Sequence, residues 1–229
     1  MKKRLLPFLM AISFLCPTFS AFADEVNTKN TQSTSAPTVV AETAILMDAA
    51  SGEVLYNKSA EQKMFPASIT KLMTILLALE HGELTDKITF SHEAIYSIEP
   101  GSAHIAIQEG ETLTLEQVLR AIILRSANEA SNGVAEYVDG SIEAFTKHMT
   151  ERAKELGCKN TNFLTANGLH DENHYTTAHD MALIAQAAFS DPTFVTIDST
   201  LYYDVPAGQL KQYPDGWRYY AHHRMLKKN

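Results

Sequence analysis

The sequence predicts an α+β domain rich in helix and poor in strand. That expectation rests on three features. A dense apolar stretch, Ile69, Leu72, Met73, Ile75, Leu76, Leu77 and Leu79, runs between Pro66 and Gly82. Its residues fall on every side of a 3.6-residue helix, so it reads as a helix enclosed by the rest of the domain. Two more helices announce their starts. Thr114-Leu115-Glu116-Gln117 is a capping box, and Ser141 precedes an amphipathic run with Ile142, Phe145, Met149, Ala153 and Leu156 on one face, closed by Gly157. Strand signals are few and short.

Taken in order, residues 43–57 read as a hairpin, with turn residues at 48–52 between two apolar runs. The enclosed helix follows. Residues 87–107 alternate short β-like runs with turn residues and yield no assignment. The capping-box helix runs to about Leu124, a short helix covers 129–138, and the Ser141 helix comes next. Residues 160–176 read as a polar loop. Thr177 and Asp180 have capping-box spacing, with Asp in place of the usual Glu, and open a helix to about Phe189. Residues 202–205 and 217–220 read as strands. No internal repeat is visible.

Residues 1–23 have the three parts of a secretory signal: Lys2, Lys3 and Arg4, an apolar run over 5–15, and small residues at Ala21 and Ala23. Pro7 and Pro17 interrupt the run, which is too short to span a bilayer. Cys16 invites a lipoprotein reading, but Leu15 stands where a small residue is expected. With cleavage after Ala23, Cys16 is lost and Cys158 remains alone, so no disulfide framework forms. Residues 24–38, rich in Ser, Thr, Asn and Gln, read as a flexible linker ahead of a domain at 39–229. The expected location is outside the cytoplasm, in the periplasm or cell envelope, as a soluble protein. Formal charge is −8, and loss of the basic leader makes the remainder more acidic still. Without a Lys/Arg cluster such a chain does not grip phosphate backbones, so nucleic acid is excluded as a partner.

Ser68-Ile69-Thr70-Lys71 opens the enclosed helix, and residues three apart share a helix face. A serine is a weak nucleophile until a base removes its proton. A lysine serves as that base only when its pKa falls from about 10.4 toward neutrality, which burial and the positive end of a helix dipole both favour. Ser126-Ala127-Asn128 falls between two expected helices, where a hydroxyl and an amide can project into a cleft. There Ser126 can relay a proton and Asn128 can hold a substrate amide; the plain alternative is a serine that caps the next helix. Ser-x-x-Lys followed by Ser-x-Asn belongs to the motif set of penicillin-binding proteins and class A β-lactamases.

The segment Pro66-Ala67-Ser68-Ile69-Thr70-Lys71-Leu72-Met73-Thr74 resembles the nucleophile segment of the low-molecular-mass penicillin-binding proteins that are D-alanyl-D-alanine carboxypeptidases. The similarity continues in Arg125-Ser126-Ala127-Asn128-Glu129-Ala130, Asn160-Thr161-Asn162-Phe163, Asn167-Gly168-Leu169 and Ala178-His179-Asp180-Met181-Ala182. The resemblance implies a helix-rich DD-peptidase or serine β-lactamase-like domain. It implies a serine peptidase of peptidoglycan biosynthesis that trims the terminal D-alanine of stem pentapeptides and is inhibited by β-lactams. Ser68 would carry the acyl group, Lys71 would be its base, and Ser126 with Asn128 would complete the cleft. The backbone N–H of Ser68 would be one oxyanion donor. No metal or other cofactor is implied.

One family element is missing. No Lys-Thr-Gly or Lys-Ser-Gly follows Asn128, and Lys58-Ser59-Ala60 lies upstream and lacks the glycine. The resemblance therefore implies a partial domain, incomplete at its C-terminal sheet strands: a fragment of a longer protein or a truncated product. Hairpin 43–57 would then lack sheet neighbours, the 229-residue chain would release little D-alanine, and membrane contact would come only through C-terminal segments absent here. The competing readings are an inactive or slow penicillin- or peptidoglycan-binding remnant, and a DD-endopeptidase on the same fold. A class A β-lactamase fits less well, because its deacylating glutamate segment is not visible. From other chemistry, His170, His174 and His179 beside Asp171, Glu172 and Asp180 suggest a zinc site. Their spacing is not His-Glu-x-x-His, however, and a solvated polar loop accounts for them. Cys158 reads as a small, partly buried residue.

Overall fold

Residues 36–221 are described by a computed structural model; the expected signal at 1–23, nearly all of the 24–38 linker and residues 222–229 lie outside them. The described chain enters the fold at a hairpin, β1 (Ala44–Met47) and β2 (Val54–Lys58), paired antiparallel. Its turn is closed by Asp48, whose carboxylate accepts from the Ser51 amide (2.7 Å) and the Ser51 hydroxyl (2.7 Å). Among the described residues the hairpin forms a two-stranded sheet. Leu46 and Leu55 are more than half exposed on it, a row of open strand edge and apolar surface.

After β2 comes a 3₁₀ turn (Ala67–Thr70) that leads into helix α1 (Lys71–His81). Met73, Ile75, Leu76, Leu77 and Ala78 are buried, so α1 is the enclosed helix, packed against the later helices. Ile69 departs from expectation: it is 52% exposed. Its amide bonds back to Pro66 O (3.3 Å), an i to i+3 closure, and the tighter turn rotates Ile69 outward relative to an α-helix. Gly82 ends α1 with extended backbone, not a left-handed cap. Glycine is needed there for space, since a Cβ would come within 2.6 Å of Tyr137 Oη.

Residues 87–107, left unassigned by sequence, hold β3 (Lys87–Thr89) and α2 (His92–Tyr96). β3 pairs antiparallel with β4 (Thr112–Thr114). Thr114 then caps α3 (Leu115–Arg125), and both arms of the capping box are present: Thr114 Oγ1 accepts from Gln117 N and Gln117 Oε1 accepts from Thr114 N. Thr114→Ala should lower stability by about 1 kcal/mol without touching the site below, as read from urea unfolding; an unchanged midpoint would mean the box contributes nothing here.

α4 (Asn128–Asp139) and α5 (Ile142–Glu155) follow. On α5 Phe145, Met149 and Ala153 are buried as their spacing predicts, and Ser141 caps it by accepting from Ala144 N. α6 (Ala178–Phe189) begins at Thr177, whose hydroxyl accepts from Asp180 N. Asp180 does not return the bond. It instead receives the amides of Lys159 and Asn160 and the Thr161 hydroxyl, tying the start of the 160–176 segment to α6. That segment is not a solvated loop. Phe163, Ala166, Asn167 and His174 are buried, and backbone bridges join Asn162 to Tyr175 and Met64 to Thr176. Its polar side chains misled because they bond one another and the backbone.

α7 (Pro192–Asp198) was not anticipated, although Asp191-Pro192 marks its start: Asp191 accepts from Thr193 N, and Pro192 sits in the first turn. β5 (Tyr202–Val205) and β6 (Trp217–Tyr220) pair antiparallel at the expected positions.

Candidate active site

The four residues singled out by sequence meet at one point, where the start of α1 faces the α3–α4 junction. Ala67 takes the left-handed conformation (φ 48°), and the chain then turns through Ser68 into the helix. This leaves Ser68 exposed while Thr70 and Lys71 point inward and are buried. Lys71 Nζ donates to Ser68 Oγ (3.1 Å), Asn128 Oδ1 (2.8 Å) and Asn167 O (2.5 Å). An ammonium has three hydrogens, and here three acceptors take them. When the amine is neutral, two hydrogens suffice for the Asn128 and Asn167 oxygens and the lone pair is free to face the serine hydroxyl. Burial drives the Lys71 pKa down to about 8, opposed by the Glu129 carboxylate.

Ser126 reaches the same serine from the other side, its hydroxyl donating to Ser68 Oγ (2.9 Å). It is placed there by backbone. α3 ends at Ser126 in the left-handed conformation (φ 55°, ψ 34°), so the chain reverses and α4 begins two residues later. A capping role for Ser126 is not seen: Ala127 occupies the N-cap of α4, which has no side-chain cap bond. Asn128, in the first turn of α4, is buried with its carbonyl oxygen on Lys71.

Three further residues were given no role by sequence reasoning. Asn167 supplies the carbonyl that takes the Lys71 ammonium. Its side chain is locked by donating to Asn132 Oδ1 (3.0 Å) and accepting from Leu169 N (2.9 Å). Glu129 is 1% exposed and accepts from Ile105 N (2.7 Å), while its other oxygen is buried without a hydrogen-bond partner; burial raises its pKa. Gly168 (φ 85°) lies so close to the nucleophile's turn that a Cβ would sit 1.9 Å from Ala67 O. The Asn167-Gly168 dipeptide was a turn signal that located this contact without revealing it. Gly168→Ala should therefore destabilise the chain by roughly 2–4 kcal/mol and disturb Ser68. Thermal unfolding checks this, and an unchanged transition would mean the 164–169 segment yields freely.

The histidines of the zinc reading are dispersed. His170 packs edge-on against Phe65, His179 pairs with Glu61 (2.8 Å), and His174 is 2% exposed with both ring nitrogens in hydrogen bonds. Among the described residues no group of three ligating side chains is positioned to hold a metal ion. Cys158 is buried, its thiol pushed up to about 12 by burial and by Asp180, which leaves it a poor nucleophile. No helix among the described residues is long and apolar enough to cross a membrane.

Residues 30–209 match the family model described as D-alanyl-D-alanine carboxypeptidase. The chain is 39% identical over 191 residues to the D-alanyl-D-alanine carboxypeptidase DacF of Bacillus subtilis, covering 81% of this chain and 47% of that protein. To DacA of Escherichia coli it is 36% identical over 198 residues, covering 82% and 49%. The chain thus spans about half the length of these relatives. Among solved structures, penicillin binding protein 5 from Haemophilus influenzae superposes with a TM-score of 0.69 at 32% identity, over 75% of this chain and 52% of that one. A variant of the Streptomyces K15 DD-transpeptidase gives 0.76 at 24% identity over 84% and 78%, a likeness of fold. The helix-rich α+β architecture is that of the DD-peptidase and penicillin-binding protein fold, in part.

Proposed function

The chain belongs to the D-alanyl-D-alanine carboxypeptidase family, and from that premise we propose that it performs serine acyl transfer on peptidoglycan stem peptides ending in D-Ala-D-Ala. The observation that carries the reading is the Ser68 oxygen held between the Lys71 amine (3.1 Å) and the Ser126 hydroxyl (2.9 Å).

In the first step the neutral Lys71 amine takes the Ser68 proton, and Ser68 Oγ attacks the carbonyl carbon of the penultimate D-alanine. The Ser68 N–H, at the head of the turn, steadies the oxygen that becomes negative. The carbon–nitrogen bond then breaks. The proton on Lys71 passes through Ser126 to the leaving nitrogen, so D-alanine departs as a neutral amine and Lys71 is restored. Water next attacks the Ser68 ester while Lys71 accepts its proton; the ester carbon–oxygen bond breaks, Lys71 returns the proton to Ser68 Oγ, and the shortened stem peptide leaves. A β-lactam forms the same ester by opening its ring, which leaves no departing group to diffuse away. Asn128 spends its oxygen on Lys71 and has its Nδ2 hydrogens to offer a substrate carbonyl. The setting that suits this chemistry is outside the cytoplasm, at the cell envelope, with stem peptides and β-lactams as partners.

The test is direct. The chain is incubated with a fluorescent penicillin, digested, and the labelled peptide is sequenced by mass spectrometry. A label on Ser68 supports the proposal; a label on another residue, or none, overturns it.

A further inference from the structure

Thr70 lies between the nucleophile and its base in sequence, is fully buried, and meets His174 across the fold: Thr70 Oγ1 and His174 Nε2 are 2.8 Å apart. The tautomer follows from the other side of the ring. His174 Nδ1 accepts the Leu164 amide (2.9 Å) and, at 3.3 Å, the Thr165 amide, so it carries no hydrogen. In the neutral ring the hydrogen is on Nε2 and is donated to Thr70. Burial pushes the His174 pKa down to about 4, in keeping with a neutral ring at ordinary pH.

Resting on the proposed function, we propose that His174 is a positioning residue for the Ser68–Lys71 pair. Through Thr70 it fixes the turn carrying both groups against the 164–169 segment, whose Asn167 carbonyl takes the Lys71 amine. One imidazole thereby spans the two sides of the lysine's cradle. The fold does not need this contact to hold the segment in place. Thr74 Oγ1 donates to Ala166 O (2.6 Å), which ties that segment to α1 directly, and Met64 and Thr176 exchange two backbone bonds that anchor the chain just beyond His174. What His174 adds is the setting of the turn itself. An error of about 1 Å at that turn is enough to slow a reaction by on the order of 100-fold.

Four variants separate positioning from packing. In His174→Gln the amide nitrogen reaches about as far as Nε2 and keeps the bond to Thr70. In His174→Asn the shorter amide reaches only as far as Nδ1 and loses it. Thr70→Ser keeps the hydroxyl and Thr70→Val removes it. For each, the non-covalent binding constant and the acylation step for benzylpenicillin are resolved by stopped flow, with thermal unfolding on the same samples. We expect His174→Asn and Thr70→Val to slow the acylation step by roughly 30–100-fold while the binding constant holds, and His174→Gln and Thr70→Ser to stay close to wild type. The double variant His174→Asn/Thr70→Val should be no slower than either alone, because both remove one contact. Wild-type acylation in all four variants overturns the inference. So does equal loss in the Asn and Gln variants with Thr70→Val unaffected, which assigns His174 to packing. If a His174 variant fails to unfold cooperatively, the near-isosteric Thr70 pair decides alone. No acylation of the wild-type chain removes the proposed function and this inference together, whereas acylation with insensitive variants removes only the latter.

Discussion

Ser68→Ala should leave a folded chain that takes up no penicillin. Ser68 is exposed and its oxygen receives two hydrogen bonds, from Lys71 and Ser126. Removing that oxygen leaves the Ser126 hydroxyl to water, while Lys71 keeps Asn128 and Asn167 as acceptors. The change in stability should therefore be small, about 0.5–1 kcal/mol. The chemical loss is complete, because Ser68 Oγ is the one oxygen that both the Lys71 amine and the Ser126 hydroxyl face. Intact-mass measurement after exposure to benzylpenicillin checks this: the wild type gains one adduct and the variant none. A full adduct on the variant would move the nucleophile elsewhere.

Lys71→Arg should come next in size, with acylation slowed by on the order of 1,000-fold. Arginine retains the charge but never becomes a neutral base, and its planar fork does not match three acceptors arranged around one nitrogen. The pH dependence gives a second, independent reading. Acylation needs the neutral amine. With Lys71 at about 8, the rate should climb as pH rises toward 8 and level off above it. At pH 7 roughly a tenth of the chains carry the neutral amine. The arginine variant should lose that limb. Stability follows the same group with its own sign. The folded pKa lies below the unfolded value, so the unfolded chain binds the extra proton between about 8 and 10.5, and stability should rise with pH across that window. A pH profile unchanged in the arginine variant would return Lys71 to a structural charge.

The parts of the site legible in the sequence were those encoded within a few residues of one another. Ser68 and Lys71 are three apart, Ser126 and Asn128 two apart, and each pair announces itself by side-chain type and spacing. That the two pairs converge came from the family resemblance, not from spacing. What stayed hidden was long-range or carried by backbone. The Asn167 acceptor is a carbonyl, which every residue has, and it meets Lys71 from 96 positions away. Thr70 and His174 are 104 apart, and the histidine sits in a stretch whose polarity suggested solvent. Secondary structure divides in the same way. The capped helices α3, α5 and α6 were readable because their first turns carry the caps, whereas Ile69 was misplaced because a 3₁₀ turn shifts the phase that an α-helix would give. The short β3–β4 ladder joins segments too brief to show a period.

Ala67 and Ser126 hold left-handed backbone on either side of the hydroxyl contact between Ser68 and Ser126, a conformation that glycine adopts without strain and side-chain-bearing residues do not. Each stores roughly 1 kcal/mol or more. In a population of variants filtered only by heat, the shoulders of the nucleophile are thus where change is rewarded: Ala67→Gly relieves the strain and at the same time loosens the turn. Filtered by capture of a penicillin, the same population should discard it. Durability and competence are inherited here in opposite directions, and a lineage bred for endurance alone would erode its own catalyst from the residue next door.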